Sequence, residues 1–152
     1  MNTINESNTK TKDYSATIQA HVSSSEAFEK IARVGDWWAK SFKGKAKKLN
    51  DEFTVRFGET FVDFRITEAI PDKKIVWAVT DCWLHWLHDK KEWMDTRVVW
   101  EISLKKNAVQ INMTHVGLLP EVECYKDCKK GWDGHVKGSL MALLMEGKGR
   151  PE

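Results

Sequence analysis

The last third of the chain, from THVGLLPEVECYKDCKKGW to SLMALLMEGKG, constrains the fold most, because it reads as one uninterrupted amphipathic helix after a run of strands. Pro120 suits the first helical turn, where its missing N–H costs nothing, and Gly147 suits the left-handed position just past a helix end. Val122, Tyr125, Trp132, Val136, Leu140 and Leu143 recur at three- and four-residue steps and share one face of a 3.6-residue period. About 27 residues at 1.5 Å each make a rod of roughly 40 Å. Such a rod must lie across a sheet or bury its stripe in a partner.

A strand, two short helices and a meander precede it. Tyr14, Ala16, Ile18, Ala20 and Val22 alternate with polar residues, which marks a half-buried strand. Ser23 followed by Glu26 has the form of a capping box, so Ala27, Phe28 and Ile31 continue as a short helix ending near Gly35, with a second helical piece over 36–40. Strands are expected near 53–57, 61–69, 74–81, 96–104 and 109–116, separated by turn signals at Gly58, Pro71-Asp72 and Lys106-Asn107. The polar first 13 residues lack the apolar groups that would offset ordering, and a disordered tail is expected over 1–13. The lysines between Lys40 and Lys48 read as a solvated loop.

Strand parity says which side chains meet the helix. Val98, Trp100, Ile102 and Leu104 share one face, as do Val109, Ile111 and Met113, and the period of two then turns His115 inward. Ile75, Trp77 and Val79 share parity with Asp81, which is expected inward near its strand's end. A buried His and Asp among aromatic rings could hold a polar ligand group, or both could be satisfied by local backbone partners. Eight tryptophans, at 37, 38, 77, 83, 86, 93, 100 and 132, could fill a core or line a hollow. Of the adjacent Trp37 and Trp38, at most one is expected to point fully inward, with the other sealing the sheet edge.

Several function classes are disfavoured. The formal charge of +2 from 24 basic and 22 acidic residues gives no strong field for nucleic acid. No apolar run approaches the 18 or so residues that cross a bilayer, so no membrane span is expected. Three cysteines without dense spacing suit a reducing cytoplasm. Cys124 and Cys128 stand one helical turn apart, where two thiols make an incomplete zinc site and a poor disulfide, and packing is the expected role. His85 and His88 in DCWLHWLHDKKEW could share a helical turn with Asp81 or Asp89, but a long aromatic connection over a cavity mouth is the expected arrangement. No GxSxG elbow, phosphate loop or HExxH motif is present, and neither a cofactor nor a metal is expected.

The double tryptophan DWW at 36–38, FTVRFG at 53–58 and VDFRITEAIPDKKIVWAV at 62–79 appear in a particular order with EWMDTRVVWEIS at 92–103, THVGL at 114–118 and the closing GW and SLMALLMEGKGRP. Over about 14–150, this series resembles the START-like helix-grip (SRPBCC) superfamily, in the group homologous to the C-terminal domain of the activator of the ninety-kilodalton heat-shock chaperone's ATPase. The resemblance implies an α+β fold, an antiparallel sheet curved around the long C-terminal helix with a cavity between them, as a single domain over 14–152. It also implies that the region of Trp37 and Trp38 forms part of the cavity wall.

The expected function is binding of a small hydrophobic or amphipathic molecule between sheet and helix. Trp77, Trp100, Met113, Tyr125 and Trp132 are the expected apolar lining, with Phe64 and one or both of Trp37 and Trp38 beside them. His115 is the expected polar anchor, and Asp81 a second polar group. A chaperone is the alternative partner, and an isomerase or cyclase using His115 the third reading.

Overall fold

The protein is described here by a computed structural model covering residues 12–152. The tail expected over 1–13 falls outside the described residues for 1–11. Seven strands form one antiparallel sheet: β1 (Tyr14–Ala20), β2 (Ser41–Gly44), β3 (Glu52–Phe57), β4 (Thr60–Ile70), β5 (Lys74–Trp83), β6 (Arg97–Lys105) and β7 (Ala108–Val116). Their order across the sheet is β1-β7-β6-β5-β4-β3-β2, so six strands meander and the first returns to pair with the last. Helices α1 (Ser24–Ala32) and α2 (Val34–Trp37) carry the chain from one edge to the other. Ser23 caps α1 by accepting the Glu26 N–H at 3.0 Å, as the capping pattern requires.

Period-two alternation decides which face of the sheet is covered. β1 and β7 alternate buried and less buried positions along their whole length, and β6 does so through Ile102. Leu104, expected inward, is 75 % exposed, although its cross-strand partner Val109 is buried. The basic stretch read as a loop contains a strand: Ser41–Gly44 pairs with Gly44 to Phe53 and Ser41 to Arg56 at the sheet's edge. Four residues with a lysine in their middle are too short and too polar to declare themselves locally, which also protects the edge from further pairing.

One irregularity reverses a whole strand end. β4 and β5 slip by one residue at Thr67, between the pairs Glu68–Val76 and Ile66–Trp77, and slip again where Phe64 meets Val79 but Asp63 meets Asp81, leaving Thr80 as a bulge. An extra residue flips every side chain beyond it to the other face. Cys82 is therefore buried and Asp81 faces outward, where it accepts from the Lys91 ammonium at 2.7 Å. That hydrogen bond holds the Asp81 carboxyl below the usual carboxylate range.

The long C-terminal helix spans 125–146 and lies against the sheet's buried face. It is built from α3 (Tyr125–Trp132), a π-helical stretch Asp133–Leu140 and α4 (Met141–Glu146). Cys128, Trp132, Val136, Leu140 and Leu144 are all buried, at constant steps of four. In a regular α-helix each such step drifts about 40° around the axis. The wider π turns take back part of that drift and keep the stripe on the sheet. Gly147 ends the helix with φ 81° and returns its N–H to the Leu143 carbonyl at 3.1 Å.

The expected start at Pro120 does not hold. Residues 117–124 form turns, and the helix begins at Tyr125. Its cap comes from elsewhere in the chain: the Glu92 carboxylate accepts the N–H groups of Glu123 at 2.7 Å and Cys124 at 2.8 Å. A cap borrowed from 31 residues upstream lets the chain bend between β7 and the helix without leaving those donors orphaned. The Tyr14 hydroxyl donates to Asp133 at 2.5 Å and ties β1 to the π-helical stretch.

Candidate functional site

A cleft of about 310 Å³ opens at one end of the space between sheet and helix. Its walls are Trp38 after α2, Phe57 at the end of β3, Thr60 and Val62 at the start of β4, and Leu84, Trp86 and Trp93 from the connection after β5. The helix contributes Asp127, Cys128, Gly131, Trp132 and His135, and Glu152 stands beside them. Trp38 and Trp132 meet at 4.8 Å between ring centroids, and Trp93 stacks on Trp132 at 6.1 Å with planes 8° apart.

Glycine makes room on the helical wall. A Cβ at Gly131 would have nothing within 4 Å, so the space beside it belongs to the cleft. His135 follows Gly131 by four residues on that face, with its ring near Trp38, Phe57 and Trp132. Burial holds its pKa below the ordinary imidazole value, against the upward pull of the Glu152 carboxylate. Neither ring nitrogen of His135 makes a hydrogen bond among the described residues.

The connection after β5 is a fixed wall. The Leu84 N–H donates to the Lys90 carbonyl at 2.8 Å, and the Lys90 ammonium donates to the carbonyls of His85 and Leu87. Two carboxylates then clasp this wall to the helix start in both directions. Glu92 accepts from Glu123 and Cys124, while Glu123 accepts the N–H groups of His88 at 2.8 Å and Asp89 at 3.0 Å. Those backbone donors hold Glu123 ionised to lower pH than usual. His85 pairs with Glu59 at 3.2 Å on the surface. Among the described residues no group of three or more His, Cys, Asp or Glu side chains is placed to hold a metal ion.

The C-terminal residues close the far side. Lys40 N–H donates to the Glu152 carbonyl at 2.8 Å and Glu152 N–H donates to the Trp38 carbonyl at 3.0 Å. Gly149 allows this approach, because a Cβ there would sit 2.4 Å from the Asp36 carbonyl. Buried Ser139 bridges the layers by donating to the Trp37 carbonyl at 2.6 Å and accepting the Arg150 N–H at 2.7 Å.

Of the ten residues singled out in the sequence, only Trp38 and Trp132 stand in this cleft. Trp37, Phe64, Trp77, Trp100 and Met113 are buried in solid packing: Trp77 contacts Trp37, Trp38, Phe53, Phe64 and Trp100 at centroid distances of 5.1–6.5 Å. The inward parity was right, but these rings fill the space they were expected to line. Trp37 and Trp38 are both buried, contrary to the expectation of one, because both rings pack on Trp77. Trp37 donates its indole N–H to the Ile31 carbonyl at 3.2 Å, and Trp38 faces the cleft. Tyr125 lies half-buried outside it, and Asp81 is on the outer surface. Cys124 and Cys128 lie on the buried stripe itself, with Cys124 sulfur accepting the Trp93 indole N–H at 3.4 Å.

His115 is inward and fully buried, and its polar capacity is used within the protein. The Trp132 indole N–H can only donate, so His115 Nδ1 accepts it, at 3.0 Å. The Thr96 hydroxyl donates to the Trp93 carbonyl at 2.6 Å and therefore accepts from Nε2–H, at 3.0 Å. His115 is thus a neutral imidazole locked between two partners, and burial pushes its pKa down to about 3. No lone pair or proton of this ring is left for a ligand.

The histidine that lines the cleft is His135. The signal for it was the series Asp127, Gly131, His135 at four-residue steps, a polar flank with a glycine at its centre beside the apolar stripe.

The same fold recurs in solved structures. The Aha1 dimer from Colwellia psychrerythraea superimposes with a TM-score of 0.74 at 19% identity, covering 90% of this chain and 98% of that one. The fold is the START-like helix grip. SSP2350 from Staphylococcus saprophyticus matches with a TM-score of 0.68 at 15% identity, over 91% of this chain and 95% of that one. DynU16, a protein of the dynemicin biosynthetic locus, matches with a TM-score of 0.66 at 16% identity, over 91% of this chain and 49% of that one. No protein-family model matches the sequence, and no curated protein is significantly similar to it. At these identities the START-like neighbours share a fold, which by itself carries no activity.

Proposed function

We propose that the protein binds a small, largely apolar molecule in the cleft between its sheet and its C-terminal helix, with Trp38 and Trp132 as the central contacts. The observation that carries this reading is a 310 Å³ cleft walled by five aromatic rings, beside a helical glycine that leaves the space empty. In this reading 14–152 act as one START-like unit, and the cytoplasm is its compartment, consistent with three buried free thiols. Among the described residues no helix is long and apolar enough to cross a membrane.

Gly131→Leu tests the reading without unfolding the protein. Leucine favours a helix over glycine by about 0.7–1 kcal/mol, and its side chain enters open space. The variant should melt at or above the wild-type temperature yet lose at least tenfold in affinity for an apolar fluorophore excited by transfer from the indoles. Unchanged affinity in a folded Gly131→Leu protein would overturn the proposal.

A protein-interaction role is the second reading. It is favoured by the resemblance to the chaperone-activator group and by the fold shared with the Aha1 dimer. Stimulation of a chaperone's ATPase by this chain, undiminished in Gly131→Leu, would favour it over ligand binding. An acid–base role for His115 has the least support, since both its nitrogens are engaged.

A further inference from the structure

We propose that the cleft selects an organic cation, a substituted amine or quaternary ammonium with an apolar body, over neutral or anionic molecules of the same shape. This rests on the reading that the cleft is a ligand site and adds the charge of its ligand. Five of its lining residues are Trp or Phe, and the face of such a ring carries a negative quadrupole that attracts a cation and repels an anion. The charged side chains among the lining residues are both acidic, Asp127 and Glu152, and no lysine or arginine lines the cleft. Neither carboxylate is in an ion pair among the described residues.

Of the basic groups nearby along the chain, Lys126, Lys130 and Arg150 do not line the cleft, and three others are engaged elsewhere. Lys129 and Lys137 both pair with Asp133, at 3.3 and 3.6 Å, on the side of the helix tied to Tyr14. Lys90 spends its protons on the His85 and Leu87 carbonyls and lies over the outer Trp83 ring. His135 contributes no positive charge at neutral pH, because burial depresses its pKa. Trp86, 51 % exposed at the mouth, leaves a large indole in water with no ring partner among the described residues. An ammonium group entering the cleft would share it with these aromatic rings and with two carboxylates. An anion would meet the same carboxylates with no compensating donor.

Three molecules of one shape separate charge from size: benzyltrimethylammonium, its carbon isostere neopentylbenzene, and the anion phenylmethanesulfonate. Each competes against the apolar fluorophore on wild type and on an Asp127→Asn/Glu152→Gln variant, at low and at moderate salt. The ammonium should bind about tenfold more tightly than neopentylbenzene, the sulfonate should bind weakest, and the ammonium's advantage should shrink in the variant and with salt. Neopentylbenzene binding as tightly as the ammonium would overturn the cation preference while leaving the cleft as a ligand site. Failure of all three and of the fluorophore to bind would overturn both readings. An ammonium advantage that persists in full in the double variant would overturn the role given to the carboxylates.

Discussion

His115 makes the protein's stability depend on pH in a calculable way. Its imidazole is fully buried and neutral, with a pKa of about 3 in place of the ordinary 6.5. Above 6.5 both folded and unfolded chains carry it neutral, and it imposes no penalty. Below 6.5 the unfolded chain takes up a proton that the folded chain refuses, so stability falls by about 1.4 kcal/mol per pH unit until pH nears 3. At pH 5 this ring alone should have cost about 2 kcal/mol relative to pH 7. That is a large part of the 5–15 kcal/mol typical of a domain. His115→Asn removes the titration while its amide oxygen still offers the Trp132 N–H an acceptor. The variant should be less stable at pH 7, since the Thr96 contact is lost, but urea unfolding should show the gap from wild type narrowing by about 2 kcal/mol on going to pH 5. His135 titrates in both proteins and cancels from the comparison. Parallel loss of stability in the two would mean that His115 is not held neutral, and the packing of Trp93, His115 and Trp132 would need revision.

Removing the borrowed cap by Glu92→Ala should cost about 1–2 kcal/mol in urea unfolding, with amide exchange accelerating first at Glu123, Cys124, His88 and Asp89. Trp132→Phe should destabilise more than Trp100→Phe when both are compared by chemical unfolding. The first strands His115 Nδ1 without its donor, whereas the second deletes a buried indole N–H that has no hydrogen-bond partner.

The sheet was legible in the sequence because alternation is a local property, and Trp77, Trp100, Met113 and His115 are inward as their parity requires. Asp81 was not legible, since one bulged residue at Thr80 inverts everything after it and no residue type announces a bulge. The helix start was hidden for a related reason: Pro120 is a good local signal, but the cap that sets the boundary belongs to Glu92. Inward parity also could not tell a wall from a filling. Trp77 and Trp38 are both inward tryptophans, and only three-dimensional crowding by Phe53, Phe64 and Trp100 puts one in the core and leaves the other on the cleft.

The central claim is where a ligand sits, and the tryptophans can report it. Each indole N–H gives its own nuclear magnetic resonance signal in a protein labelled with ¹⁵N. Titration with the apolar fluorophore should move the signals of Trp38, Trp86, Trp93 and Trp132, which line the cleft, and leave those of Trp37, Trp77 and Trp100 in the packed core in place. Movement of Trp77 and Trp100 with Trp86 unaffected would place the ligand beneath the sheet's centre and contradict the account.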